Sequence, residues 1–216
     1  MPEQHYSHSL KEPASLPEAS PARRAVPAHG EHLDEVLAEA FSLFARGVAD
    51  RRSAFRTPTV ATVGPDHTPH IRTMVLRQFD PITRRLFLHT DRRASKLADI
   101  ASVPYAAVHV YDARAALQIR LSAHVQVHTD DQVAQAAWAN GAPASHACYA
   151  INPAPGTEVP APPPAATDPQ AGFANFAVLA LTFHTLEWLW LYHGGHRRAR
   201  FTWTADAPPH ATWLVP

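Results

Sequence analysis

His70-Ile71-Arg72-Thr73-Met74-Val75-Leu76-Arg77-Gln78-Phe79 is an extended run whose middle is apolar, yet it carries two arginines five residues apart. Side chains alternate across a strand, so Arg72 shares a face with Met74 and Leu76 while Arg77 points the other way. An arginine on an otherwise apolar face needs a partner. Its planar fork suits phosphate or carboxylate, and an ordinary salt bridge at a sheet end would meet the same need. Both readings stand on these residues alone.

The flanks of this run place it in a β structure. Thr57 to Val63 is rich in β-branched residues, and Gly64-Pro65-Asp66-His67-Thr68-Pro69 is dense in turn formers, so the two extended segments read as a hairpin. Further upstream, Leu33, Val36, Leu37, Ala40, Phe41, Phe44 and Val48 recur at helical spacing, which predicts an amphipathic helix from about Glu31 whose aromatic stripe packs on the core. Residues 1–30 are rich in Pro, Ala, Ser, Glu and His and lack an apolar leader core; they read as a disordered start to a soluble, cytoplasmic protein.

Downstream, the Asp80-Pro81 turn leads to a strand over Arg85–Thr90. Asp91 is placed to cap a helix over Arg92–Ser102, which Pro104 ends. Tyr105–Tyr111 and Leu117–His128 read as strands around a turn at Asp112–Ala115, and Asp130 opens a short helix containing Val133, Ala136, Ala137 and Trp138. Residues 141–172 hold Pro143, Pro153, Pro155, Pro160, Pro162, Pro163, Pro164 and Pro169, which argues against a regular helix or central strand. A loop this long either covers a site or is a tolerated insertion. Four further strands are predicted over Phe176–Phe183, Leu186–Tyr192, Arg198–Trp203 and Thr212–Val215, separated by His184-Thr185, by Gly194-Gly195 and by Asp206 to Pro209. Seven or eight mostly hairpin-linked strands with peripheral helices suit a mainly β, antiparallel barrel, with residues 31–216 as one domain.

Composition narrows the chemistry. Lysine plus arginine and aspartate plus glutamate number 19 each, so no global field points to nucleic acid, and any anion site must be local. No segment is long and apolar enough for a membrane helix. Cys148 is the only cysteine, which excludes an internal disulfide. Among the 15 histidines, His124 and His128 would lie roughly 13 Å apart in a strand at about 3.3 Å per residue, too far to share an ion. His193 and His196 flank a tight turn without a Cys or Glu to complete a ligand set, so no metal site is predicted. Phosphate-binding Gly-rich loops and the nucleophile-elbow and HExxH patterns are missing. A second basic cluster, Thr90-Asp91-Arg92-Arg93-Ala94-Ser95-Lys96, falls where a strand gives way to a helix. It reads either as an anion site or as a solvated helix start.

The order of these pieces resembles the FMN-binding core of the pyridoxamine 5'-phosphate oxidase family. The resemblance is carried by Arg72 to Arg77, Phe79-Asp80, Phe87 to Thr90, Ser95-Lys96 and Leu117-Gln118-Ile119-Arg120, and resumes weakly from Leu186 to the Trp213-Leu214-Val215-Pro216 ending. It implies an antiparallel split β-barrel holding flavin mononucleotide (FMN). Arg72 and Lys96 would hold the phosphate, with hydroxyls from Thr90 and Ser95 and with His89 beside them. The backbone from Arg72 through Thr73, Met74, Val75 and Leu76 to Arg77 would run along the flavin ring. Gln118 would reach a flavin across the boundary of a homodimer, and Trp190 and Arg200 fall near the family's carboxy-terminal flavin contacts. His196 and Arg198 occupy the place of its substrate-handling tripeptide.

This chain departs from true pyridoxamine phosphate oxidases in carrying Arg77 for lysine, His196-Arg197-Arg198 for Arg-Leu-His, and the proline-rich stretch where further substrate contacts lie. The resemblance thus implies a homodimeric FMN-dependent oxidoreductase acting on an unidentified small molecule. Two alternatives are pyridoxamine or pyridoxine 5'-phosphate oxidation itself, and a flavin- or haem-binding protein without turnover.

Overall fold

The computed structural model describes residues 28–166, 168–204 and 207–216. Of residues 1–30, expected to be disordered, residues 1–27 lie outside them, as does Asp206, while the last three belong to a 3-10 turn, Ala28–Glu31. Nine strands form one antiparallel sheet among the described residues. Thr59–Val63 (β1) and Pro69–Thr73 (β2) make the expected hairpin, with Val60 opposite Arg72.

The run from His70 to Phe79 is not one strand. It breaks after Thr73 and resumes as Leu76–Asp80 (β3), which pairs with Arg85–Asp91 (β4) instead of β1. The remaining strands are Tyr105–Asp112 (β5), Leu117–His128 (β6), Phe176–Trp190 (β7), Arg197–Thr202 (β8) and His210–Leu214 (β9).

The strand order is β2-β1-β5-β6-β7-β4-β3, with β8 and β9 continuing from β7. The two ends of this path, β2 and β3, are consecutive in the chain and separated only by Met74 and Val75. That two-residue step carries the chain from one sheet edge to the other and closes the barrel. Met74 is pinned at the seam by its amide, which donates to the Pro58 carbonyl at 2.9 Å.

β7 splits the barrel. One edge pairs with β6 throughout; the other pairs with β4 over Phe176–Thr182 and with β8 over Thr185–Trp190. His184-Thr185, expected to separate two strands, instead lies within one. Ser122 pairs with Thr185 and Ala123 with Phe183, so His184 is the extra residue of a bulge that bends β7 between its two partners.

The helices cover the barrel's open faces. Leu33–Ala49 (α1) buries Val36, Ala40, Leu43 and Phe44, and Phe41 and Phe44 pack against Phe79 and Phe55 with ring centroids 5.5 and 5.1 Å apart. Gly47 is needed for this approach, because a Cβ there would sit 2.7 Å from the Phe55 backbone.

Lys96–Ser102 (α2) starts four residues later than expected. Asp91 does not cap it: it ends β4 and turns its carboxylate on Arg93, accepting from the backbone amide at 2.8 Å and from Nη2 at 2.7 Å. Gln132–Ala139 (α3) is capped by Asp131 rather than Asp130, with the Ala134 amide donating at 3.0 Å. The proline-rich stretch is more structured at its start than expected. Pro143–His146 (α4) forms one turn with Pro143 at the helix start, where its missing N–H costs nothing, and Tyr149 follows it into a small core with Ala134, Phe176 and Val178. No described helix is long and apolar enough to cross a membrane.

Gly47→Ala should lower stability by about 1–3 kcal/mol through overpacking against Phe55. Urea unfolding checks this; an unchanged midpoint would mean that α1 sits farther from Phe55.

Candidate functional site

The barrel seam gathers most of the predicted residues. Arg72, on the inward face of β2, donates through Nη1 to the Thr62 hydroxyl at 2.7 Å and faces the Asp99 carboxylate of α2 at 3.5 Å. Asp99 is buried. It accepts from the Thr62 hydroxyl at 2.6 Å and lies 3.0 Å from His70 Nδ1. Burial pushes this carboxyl up, but the hydrogen bonds from Thr62 and His70 and the charges of His70 and Arg72 outweigh it and hold it below its usual range. The guanidinium is therefore oriented from behind, by a carboxylate on a different element.

Across the seam, Lys96 donates to the Thr90 hydroxyl at 3.0 Å. Burial pulls its ammonium below the usual value, and the charge of Arg72 pulls it further. Two cations are thus held close enough to disfavour each other. A hollow of about 300 Å³ opens between them, lined by Arg72, Thr73, Met74, Val75, Arg77, His89, Thr90, Lys96 and Tyr149, with no carboxylate in its wall. Asp91 is occupied by Arg93. His89 is pushed down to about 4, by burial first and then by the charges of Arg77 and His146, so its ring is neutral near neutral pH.

Other predicted residues lie elsewhere. Ser95 is exposed, just before α2, and is not in the wall of the hollow. Leu76 is fully buried beneath the seam. Gln118 and Arg200 sit on the outward face of the sheet, where Gln118 meets His109 at 3.2 Å and Arg200 is exposed. Trp190 points inward and stacks on Tyr192 at 4.6 Å. His196 and Arg198 line a separate hollow with Trp213 and Glu31, and Arg198 is bound to Glu187 at 2.6 Å.

Residues 38–129, which contain β1 to β6 and every wall residue of the seam hollow except Tyr149, match the family described as "Pyridoxamine 5'-phosphate oxidase, FMN-binding domain". Over that stretch, less than half of its length, the chain is similar to that family. Solved structures share its fold. A pyridoxamine 5'-phosphate oxidase-related, FMN-binding protein from Nostoc punctiforme is 24% identical, with 83% of this chain and 96% of that one covered at a TM-score of 0.69. PhzG from Burkholderia lata, in complex with tetrahydrophenazine-1-carboxylic acid, is 14% identical, with 90% and 99% covered at 0.66. A protein related to general stress protein 26 from Clostridium acetobutylicum is 13% identical, with 76% and 94% covered at 0.53. No curated protein matches the chain significantly.

The residues of the seam suit the phosphate of the FMN named in that family's description. A phosphate dianion between Arg72 and Lys96 would offset the burial, and after it the Arg72 charge, that lower Lys96, and the wall of the hollow carries no acidic group. Arg and Lys on opposite sides of a hydroxyl give the charge-assisted donors that a phosphate needs.

Sequence reasoning missed a second cavity that shares Arg77, His89 and Tyr149 with the first. It holds about 520 Å³, and its far wall is built by α3, α4 and Tyr149. The eight prolines of residues 141–172 concealed it, because they mask the single helical turn that carries His146. The available signal was Trp138 and Gly141 followed by a proline-started turn ending in His146.

The folded value of His89 lies below its ordinary 6.5, so the unfolded chain takes the proton first as pH falls. His89 therefore supports the fold fully above that value and loses this contribution as pH falls toward about 4. Urea midpoints should fall less steeply across this window in His89→Gln than in the unsubstituted chain. Equal slopes would show that His89 titrates normally.

Proposed function

We propose that this chain binds FMN at the barrel seam and uses it as an oxidoreductase on a small organic molecule. The reading is carried by one observation: Arg72 and Lys96 line one hollow whose wall carries no carboxylate, while Asp99 meets Arg72 from behind. Asp99 and Thr62 hold the Arg72 fork, while Thr90 holds the Lys96 ammonium. The break between β2 and β3 lays the backbone of Thr73 to Val75 along the hollow. When bound, the flavin supplies hydride or electron transfer, and the protein supplies orientation and electrostatics.

The adjoining cavity favours turnover over a carrier role, because a carrier needs no second hollow beside its cofactor. His89 lies in the wall of both and can hydrogen-bond as a neutral ring. A homodimer completes the proposal. The pairing of β5, β6, β7 and β8 sets Tyr111, Gln118, Leu189 and Arg198 in one outward row, and His109, Arg120, Glu187 and Arg200 in the next. Tyr111 and Arg200 are exposed on that face, where a second copy could use Gln118 and Arg200.

Purified protein should bind FMN with flavin absorbance, and Arg72→Ala should weaken binding by roughly 2–4 kcal/mol through the lost charge-assisted contact. Unchanged affinity in a fluorescence titration would remove the seam as the phosphate site.

A further inference from the structure

His70 stands on β2 two residues before Arg72, on the same face of the strand, yet it lines neither hollow. Its ring joins two acids. Nδ1 lies 3.0 Å from Asp99 Oδ2, and Nε2 lies 3.3 Å from the Thr68 hydroxyl, which itself donates to Asp66 Oδ1 at 2.7 Å.

The hydrogens along this chain can be counted. Asp99 is held below its usual range despite its burial, and a carboxylate only accepts, so Nδ1 carries a hydrogen toward it. Thr68 has a single hydroxyl hydrogen and gives it to Asp66, so its oxygen meets Nε2 as an acceptor. Both partners are satisfied at once only by a ring with hydrogens on both nitrogens, the imidazolium. A neutral ring has one hydrogen. It sets Nε2 against an oxygen lone pair, or takes the Thr68 hydrogen away from Asp66.

On the other side, one carboxylate oxygen is shared. Asp99 Oδ2 accepts from the Thr62 hydroxyl at 2.6 Å, from His70 at 3.0 Å and from Arg72 Nη2 at 3.5 Å, so Arg72 makes the longest of the three contacts. The other partners of Arg72 are neutral, the Thr62 hydroxyl at 2.7 Å and the Val60 carbonyl at 3.4 Å. The charged groups that face the ring are Asp66 from the β1–β2 turn, Asp99 from α2 and Arg72 from β2 itself. Lys96, also on α2, feels the charges of both Arg72 and Asp99.

We propose that His70 is a positioning residue for the anion site at the seam: its imidazolium takes up the charge of Asp99 and leaves the Arg72 guanidinium free for an anion, so that anion affinity rises as pH falls. Loss of the second proton turns Asp99 wholly onto Arg72, and the hollow becomes less positive. Imidazole is the side chain suited to such a change in the neutral range. The inference rests on the flavin reading for the identity of the anion, the FMN phosphate, and not for the effect of His70 on Arg72.

The test compares FMN and riboflavin binding to the full chain, to His70→Gln and to His70→Lys, at about pH 6 and about pH 8. Sulfate, read by its shift of the urea midpoint, is the flavin-free probe. Comparing chains at one pH cancels the titration of the FMN phosphate itself. From the lower to the higher pH, the unsubstituted chain should lose about fivefold more FMN affinity than His70→Gln, the low end for linked sites because the ring is part-exposed. His70→Lys stays charged at both pH values and should keep its affinity as the unsubstituted chain loses it. Riboflavin, which has no phosphate, should respond to pH alike in all three chains, and sulfate should follow the FMN pattern. Equal pH dependence of FMN binding in the unsubstituted chain and His70→Gln overturns the inference and leaves the flavin reading standing. So does a riboflavin response that moves with FMN, the mark of a merely structural role. Should His70→Gln fail to fold, His70→Lys decides alone, and a pH dependence equal to the unsubstituted chain overturns the inference. Sulfate protection that depends on His70 without FMN binding removes the flavin reading and leaves the inference in place.

Discussion

The two-residue step from Thr73 to Leu76 is the constraint on which the rest of the structure depends. It joins the strands at opposite ends of the sheet order, so the barrel closes only if the chain leaves one ladder and enters another there. A backbone changing partners cannot satisfy all its N–H and C=O groups within the sheet, and such groups must find other partners. The seam is therefore both the point of closure and the natural place for a polar ligand. Bulky Met74 and Leu76 anchor the step from below, and α1 covers the barrel beside it.

The charges at the seam are arranged from behind. Asp99 is buried on α2 and meets Arg72, Thr62 and His70, so it fixes the guanidinium without standing in the hollow. Asp91 is likewise kept occupied by Arg93. Each acid near the seam is committed to holding a neighbour, and the side facing the hollow stays positive. A buried carboxylate of this kind serves geometry, since an ion pair taken out of water adds little net stability by itself.

Much of this was legible in the sequence. The β-rich alternation, the turn at Gly64 to Pro69 and the basic clusters at Arg72 and Lys96 foreshadow the barrel and the seam. What escaped has physical causes. A strand that changes partners keeps its extended pattern, so nothing local marks the break after Thr73. A bulge looks like a turn, because His184-Thr185 is polar in an apolar run, and only pairing with β6 shows that β7 continues. Asp91 has the residue type of a helix cap, but the competing partner Arg93 lies two residues on. The second cavity depends on contacts between segments far apart in the chain, with Val48, Arg77, Phe87 and His146 converging from four elements.

The account's central claim is that Arg72 and Lys96 hold a phosphate. The most direct measurement is the ratio of affinities for FMN and riboflavin, which share the ring and differ in the phosphate. Two charge-assisted contacts at about 1.5 kcal/mol or more each predict FMN binding roughly 100-fold more tightly. Equal affinity for the two flavins would contradict the claim.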